Sequence, residues 1–151
     1  MPWLIFLLLI LATHFVHAQE NGTLTTQTEN SNAERRAAFN YQMFCQGCHS
    51  ADGSGHKSVP EFKGFIHKFM ATQQGREYLI RVPGAANAAL DDEQLADLMN
   101  WMLRTFGDAS QGASWKPFEV SEIAKYRKHP LNETIEYRAA IIAGLNLETE
   151  L

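Results

Sequence analysis

Cys45-Gln46-Gly47-Cys48-His49 decides the reading of this 151-residue chain. The C-x-x-C-H pattern is the signature of covalent haem attachment. Two cysteines three positions apart can close thioether bonds to the two vinyl groups on one porphyrin edge. The residue that follows is then held beneath the ring, where the His49 imidazole can ligate iron from the proximal side. A C-x-x-C alone also serves zinc sites and thioredoxin-like redox pairs. Cys45 and Cys48 are the only cysteines, so a zinc site would need two further ligands, drawn from His49, His56, His67 or His129. A redox dithiol would want a βαβ surround, and no run of residues alternates apolar and polar long enough to suggest a strand.

Outward from the motif, the pattern is helical. Ser31-x-x-Glu34 reads as a capping box opening a helix, and Ala33, Ala37, Tyr41 and Phe44 recur on one face of it. Phe62, Phe65, Ile66, Phe69 and Met70 read as a short apolar helix. Thr72 can cap another that carries Tyr78, Leu79 and Val82 and stops at Pro83-Gly84. Asp91 with Gln94 forms a second capping box, and Leu90 and Leu95 bracket it as a hydrophobic staple. Leu95, Leu98, Met99, Met102 and Phe106 form that helix's buried face, with Trp101 at its flank and Gly107 at its end. The expected fold class is all-α.

At its ends the chain reads differently. Residues 1–18 resemble a secretory signal peptide: Pro2 to Val16 is apolar and uncharged, and Val16-His17-Ala18 offers a small-residue cleavage site. No Lys or Arg precedes the apolar run, a departure from the usual pattern. That run is shorter than the roughly 20 residues a spanning helix needs, so no membrane span is expected in the mature protein. Residues 19–32 are polar and read as a disordered tether. The formal net charge of −4 argues against nucleic acid as a partner.

Over Ala33 to Phe106 the chain resembles the class I cytochrome c family, small monohaem bacterial cytochromes. Ala37 and Tyr41 stand eight and four positions before Cys45, where that family places a small residue and an aromatic that cross its last helix. Asp52-Gly53-Ser54-Gly55 and Pro60 match its Gly-rich loop and proline. The resemblance implies a class I cytochrome c fold over 33–107 carrying one covalent haem c on Cys45 and Cys48. It implies His49 as proximal ligand, with the Pro60 carbonyl accepting the free N–H of His49 and fixing the ring's orientation.

One feature departs from that family. The loop before its last helix supplies a methionine to the iron, whereas Val82 to Leu90 contains none and Ala85 stands about where one would be. The sixth ligand stays open among Met70, Asn87 and His67, beside a five-coordinate or water-ligated iron. Met43 is too near Cys45 to reach the far face, and Met99 and Met102 read as core. His56 reads as a solvent-facing loop residue, and His129 as a tail residue before Pro130. Arg76 and Arg81 are candidates to pair with haem carboxylates.

Residues 108–151 form a helical extension. Ser110 to Ser114 reads as a linker, Ser121 as the cap of a helix through Lys128, and Asn132 as the cap of another with Ile135, Ala139 and Ile142 on one face. The extension either packs back on the core or docks an enzyme partner. The leading functional expectation is a periplasmic carrier, not an enzyme, passing single electrons from a dehydrogenase donor to a cytochrome or oxidase acceptor through weak docking. Two other readings stand beside it: a ligand-binding or peroxidatic haem protein with an open sixth position, and a haem subunit held on a periplasmic dehydrogenase.

Overall fold

The structure is a computed structural model that describes residues 28–108 and 115–145. The segment 1–18 expected as a signal peptide, the expected tether as far as 27 and the expected linker at 109–114 lie outside the described residues. The chain divides into Met1–Arg35 and Arg36–Leu151, and the second unit holds the core and the site. Helix α1 covers 28–44. Residues 28–32, expected as tether, are therefore helical, and Ser31 does not cap. Its hydroxyl donates to the Thr28 carbonyl from inside the helix (2.9 Å), the back-bonding alternative open to a serine one turn on.

One turn, α2 (Gln46–His49), follows α1 across Cys45. A 3-10 helix at Ile66–Ala71 takes the place of the expected apolar helix. Next come α3 (Gln73–Arg81), α4 (Pro83–Ala86) and α5 (Asp92–Phe106). Thr72 caps α3 by accepting from the Gly75 N–H at 3.0 Å. Pro83 stops α3 but also opens α4, because its fixed φ and missing N–H suit the first turn of a helix. Both halves of the Asp91–Gln94 capping box form, and α5 ends at Gly107. All described elements are helical; an isolated bridge between His56 and Val59 is the only β-type pairing among them.

The core is built where α1 meets α5. Ala37 and Tyr41, one turn apart, are each 1% exposed. The Tyr41 ring lies 5.5 Å from Trp101 and 4.9 Å from Phe106, tilted against both. A small residue beside a ring lets two helix axes approach while the aromatic fills the flank. Leu95, Leu98 and Leu103 are fully buried on the inner face of α5.

Two further helices, α6 (Val120–Tyr126) and α7 (Thr134–Gly144), make up the extension. Their caps are Glu119 and Glu133, not Ser121 and Asn132, and neither cap makes a side-chain bond. The extension packs on the core through Phe118, Ile123, Leu131, Ile141 and Ile142, all buried. The face expected for α7 is wrong in part. Ile135 is 77% exposed and Ala139 is exposed, while Ile141 is buried and Tyr137 stacks parallel to Tyr78 at 6.1 Å. The ring contact, which periodicity of aliphatics alone does not reveal, rotates the helix.

Polar contacts lace the extension down. Arg76 forms a two-pronged pair with Glu122 (2.9 and 2.6 Å), bonds the carbonyls of Lys116 and Pro117, and lies 4.6 Å over the Phe118 ring. Asn100 of α5 meets both backbone groups of Phe118, at 3.0 and 2.7 Å. Side chains of Arg76 and Glu122 are only 10% and 17% exposed. Removing one partner strands the other charge in a poorly solvated place. Arg76→Ala should therefore lower stability by about 3 kcal/mol, read as a shift in the denaturation midpoint. Replacing Arg76 and Glu122 together by Met should cost much less.

Candidate haem site

The site begins with the exit from α2. The amides of His49 and Ser50 complete the turn by bonding to the Cys45 and Gln46 carbonyls (3.0 and 2.9 Å). Ser50 then adopts φ 64, the left-handed region that serine rarely takes. The Tyr41 hydroxyl donates to the Ser50 carbonyl (2.6 Å), and the Ser50 hydroxyl donates to the Gly55 carbonyl (3.0 Å). These bonds hold the strained residue where it is needed. Gly53 and Gly55 follow at φ 74 and 71. A Cβ at Gly53 would meet the Phe106 ring, and one at Gly55 would meet the backbone of Val59 and Pro60. Only glycine allows both the conformation and the approach.

This doubling back delivers the Pro60 carbonyl to His49. The Nδ1–H of His49 donates to it at 3.0 Å, and Phe62 stacks on the imidazole at 3.9 Å. One ring nitrogen is thus engaged and the other is left to bind a metal, the arrangement a ligating histidine needs. Burial lowers the His49 pKa, opposed by the bond to Pro60, a shift toward the neutral ring that ligation requires. Burial pushes the Cys45 thiol up to about 11, helped by the neighbouring Cys48. A redox dithiol instead works through a depressed pKa. Placement gives the zinc alternative no support either: among the described residues no group of three His, Cys, Asp or Glu side chains is arranged to hold a metal ion.

Cys45, Cys48 and His49 open on a cavity of about 320 Å³. Its other walls come from Pro60 and Phe62, from Tyr78 and Leu79 of α3, from Val82 to Ala85 with Ala88, from the inner face of α5, and from α7. A largely apolar cleft with two thiols and one oriented imidazole at its edge fits a covalently attached porphyrin. Carbon walls exclude water, and the donor set matches thioether and iron bonds. Haem would be held by Cys45, Cys48 and His49, and would supply a reversible one-electron Fe(III)/Fe(II) couple.

The three candidates for the far side of the iron are not on these walls. Met70 is buried in the core, Asn87 is exposed, and His67 accepts a bond from the Asp108 N–H (3.1 Å) beside Trp115. Met99 and Met102, assigned to the core from their spacing, are both buried and on the cleft wall. Arg76 and Arg81 do not reach the cleft as carboxylate partners. Arg76 is spent on Glu122, and Arg81 donates to the His129 carbonyl (2.7 Å).

No protein-family model matches the chain. Two proteins called cytochrome c-552, both from Thermus thermophilus and one of them from a separately designated strain of that species, are each 31% identical to it over 106 residues. The match takes in 58% of this chain and 81% and 72% of those relatives. The chain belongs to the c-type cytochrome family. Its cofactor is therefore haem c, its class I all-α fold is the family's, and its activity is that of an electron carrier.

A residue that sequence reading passed over organises the rim of this cytochrome's cleft. Arg127, just beyond α6, donates to the carbonyls of Ala86, Ala88 and Leu90 (3.2, 2.8 and 2.8 Å) and to the Asp92 carboxylate (3.0 Å). One guanidinium fixes the loop between α4 and α5, where a short chain segment has few hydrogen bonds of its own. Arg127→Ala should cost about 3 kcal/mol. Amide exchange at Ala86 to Leu90 should accelerate in that variant while exchange within α1 is unchanged.

Proposed function

We propose that this chain is an exported monohaem electron carrier, with haem c bound through Cys45 and Cys48, His49 as proximal ligand and Pro60 as the acceptor that orients it. The observation that carries the reading is the His49 Nδ1–H donating to the Pro60 carbonyl at the edge of the cysteine-flanked cleft. That bond raises the basicity of the ligating nitrogen and so favours the ferric state. The partners are periplasmic redox proteins, a dehydrogenase as donor and a cytochrome or oxidase as acceptor, met through small transient interfaces. The apolar segment 1–18, with its small-residue cleavage site, supports export. Among the described residues no helix is long and apolar enough to cross a membrane.

A second reading concerns the sixth position. Val82, Pro83, Gly84, Ala85 and Ala88 line the cleft, and none of their side chains carries a donor to iron. We read Val82 to Leu90, which contains no methionine, as the counterpart of the loop that supplies one in class I cytochromes. This favours an iron open to a small ligand.

Spectra of the purified holoprotein test both readings. The wild type should show one covalently held haem per chain with reversible one-electron reduction. Cys45→Ala with Cys48→Ala should lose covalent haem entirely, and a double variant that keeps it would defeat the attachment reading. Carbon monoxide should shift the reduced Soret band if the sixth position is open. An unmoved band would restrict the protein to electron carriage.

A further inference from the structure

The cleft has a wall that the haem-binding motif does not supply. Helix α7 places Thr134, Ile135 and Arg138 on it. Ile135 and Arg138 are three residues apart and so share a face of the helix. An isoleucine left 77% exposed at the rim of an apolar cleft is an unpartnered aliphatic surface facing the place where porphyrin carbon belongs. Arg138 is the one Lys or Arg side chain on the cleft wall among the described residues. It forms no ion pair with a carboxylate of the described chain, although Arg76 and Arg127 both do. Its guanidinium lies instead over two rings, 5.2 Å from Phe65 and 5.8 Å from Phe69. It also stands near the buried Tyr78, drawing down a hydroxyl pKa that burial raises.

Haem brings the missing anion. Its vinyl groups occupy one edge of the ring and its two carboxylates the opposite edge. With the vinyl edge bonded to Cys45 and Cys48, the carboxylates would be directed away from α2, toward the walls built by other elements. A carboxylate entering a largely apolar cleft needs a cation and hydrogen-bond donors. We infer that Arg138 pairs with a haem carboxylate and that Ile135 covers the adjoining porphyrin edge, so that the C-terminal extension is part of the haem site. The extension then does more than pack: it sets the potential. A fixed positive charge beside the ring disfavours the ferric state, which carries one more positive charge than the ferrous state.

The inference rests on haem being held by Cys45, Cys48 and His49. Midpoint potentials of the holoprotein separate the two. Arg138→Gln keeps a polar side chain of related shape and removes the charge, and should shift the potential downward with haem content unchanged. Arg138→Lys should restore much of the shift. Lys128→Gln removes an equal charge from an exposed site outside the cleft and should move the potential far less. A wild type without covalent haem would defeat the haem reading itself. A holoprotein whose potential is the same with Arg138 or Gln, or moves no more than with Lys128→Gln, would overturn only the carboxylate pairing. Should Arg138→Gln fail to mature, a crystal structure of the wild-type holoprotein decides. Arg138 within hydrogen-bonding distance of a haem carboxylate upholds the inference, and Arg138 out of reach of both overturns it.

Discussion

The bond from the His49 imidazole to the Pro60 carbonyl is the contact on which the site depends. A histidine that must bind iron with one nitrogen has to be held by the other, and a backbone carbonyl is a rigid acceptor. Bringing residue 60 back to residue 49 requires the chain to reverse within 11 residues. That reversal explains the left-handed Ser50, Gly53 and Gly55, and the hydroxyl of Tyr41 reaching the Ser50 carbonyl. Tyr41 thereby serves two ends. Its ring fills the crossing of α1 with α5, and its hydroxyl holds the strained turn, so packing and site geometry share one side chain.

The extension follows a second rule, that buried arginines are satisfied by carbonyls as much as by carboxylates. Arg76 bonds two carbonyls beside Glu122, and Arg127 bonds three beside Asp92. Each guanidinium offers five donors in a rigid fork. It can therefore fasten irregular segments that have no regular hydrogen-bond ladder of their own. The segments fastened here, 116–118 and 86–92, both contribute to the cleft or border it. What the extension contributes is thus continuous with the haem site: it shapes the rim through Arg127, buries apolar surface through Ile123 and Ile141, and faces the cleft with Arg138.

Where sequence reading succeeded, the information was local. The Asp91–Gln94 capping box, the Thr72 cap and the end at Gly107 depend on residues within one or two turns. The pairing of Ala37 and Tyr41 with α5 came from family resemblance, and the Tyr41 ring does meet Trp101 and Phe106. Where it failed, the deciding partner was far along the chain. Ser121 and Asn132 looked like caps, yet α6 and α7 begin on glutamates because tertiary packing sets their phase. Of the face suggested by Ile135, Ala139 and Ile142 only Ile142 is buried, while Tyr137 stacks on Tyr78 and Ile141 turns inward. The pattern of aliphatics weighs no ring against ring.

The sequence by itself carried the reading of the attachment motif and the all-α class, while the turn that brings Pro60 to His49 came from family resemblance. The first two follow from residue types at fixed short spacings, which constrain the backbone whatever surrounds it. Only the tertiary structure decided which side chains complete the cleft. It drew Arg76 away to Glu122, tied His67 to Asp108, sank Met70 in the core and put Met99, Met102 and Arg138 on the wall. Such choices depend on competition among partners 35 or more residues apart, and no local pattern records which partner wins.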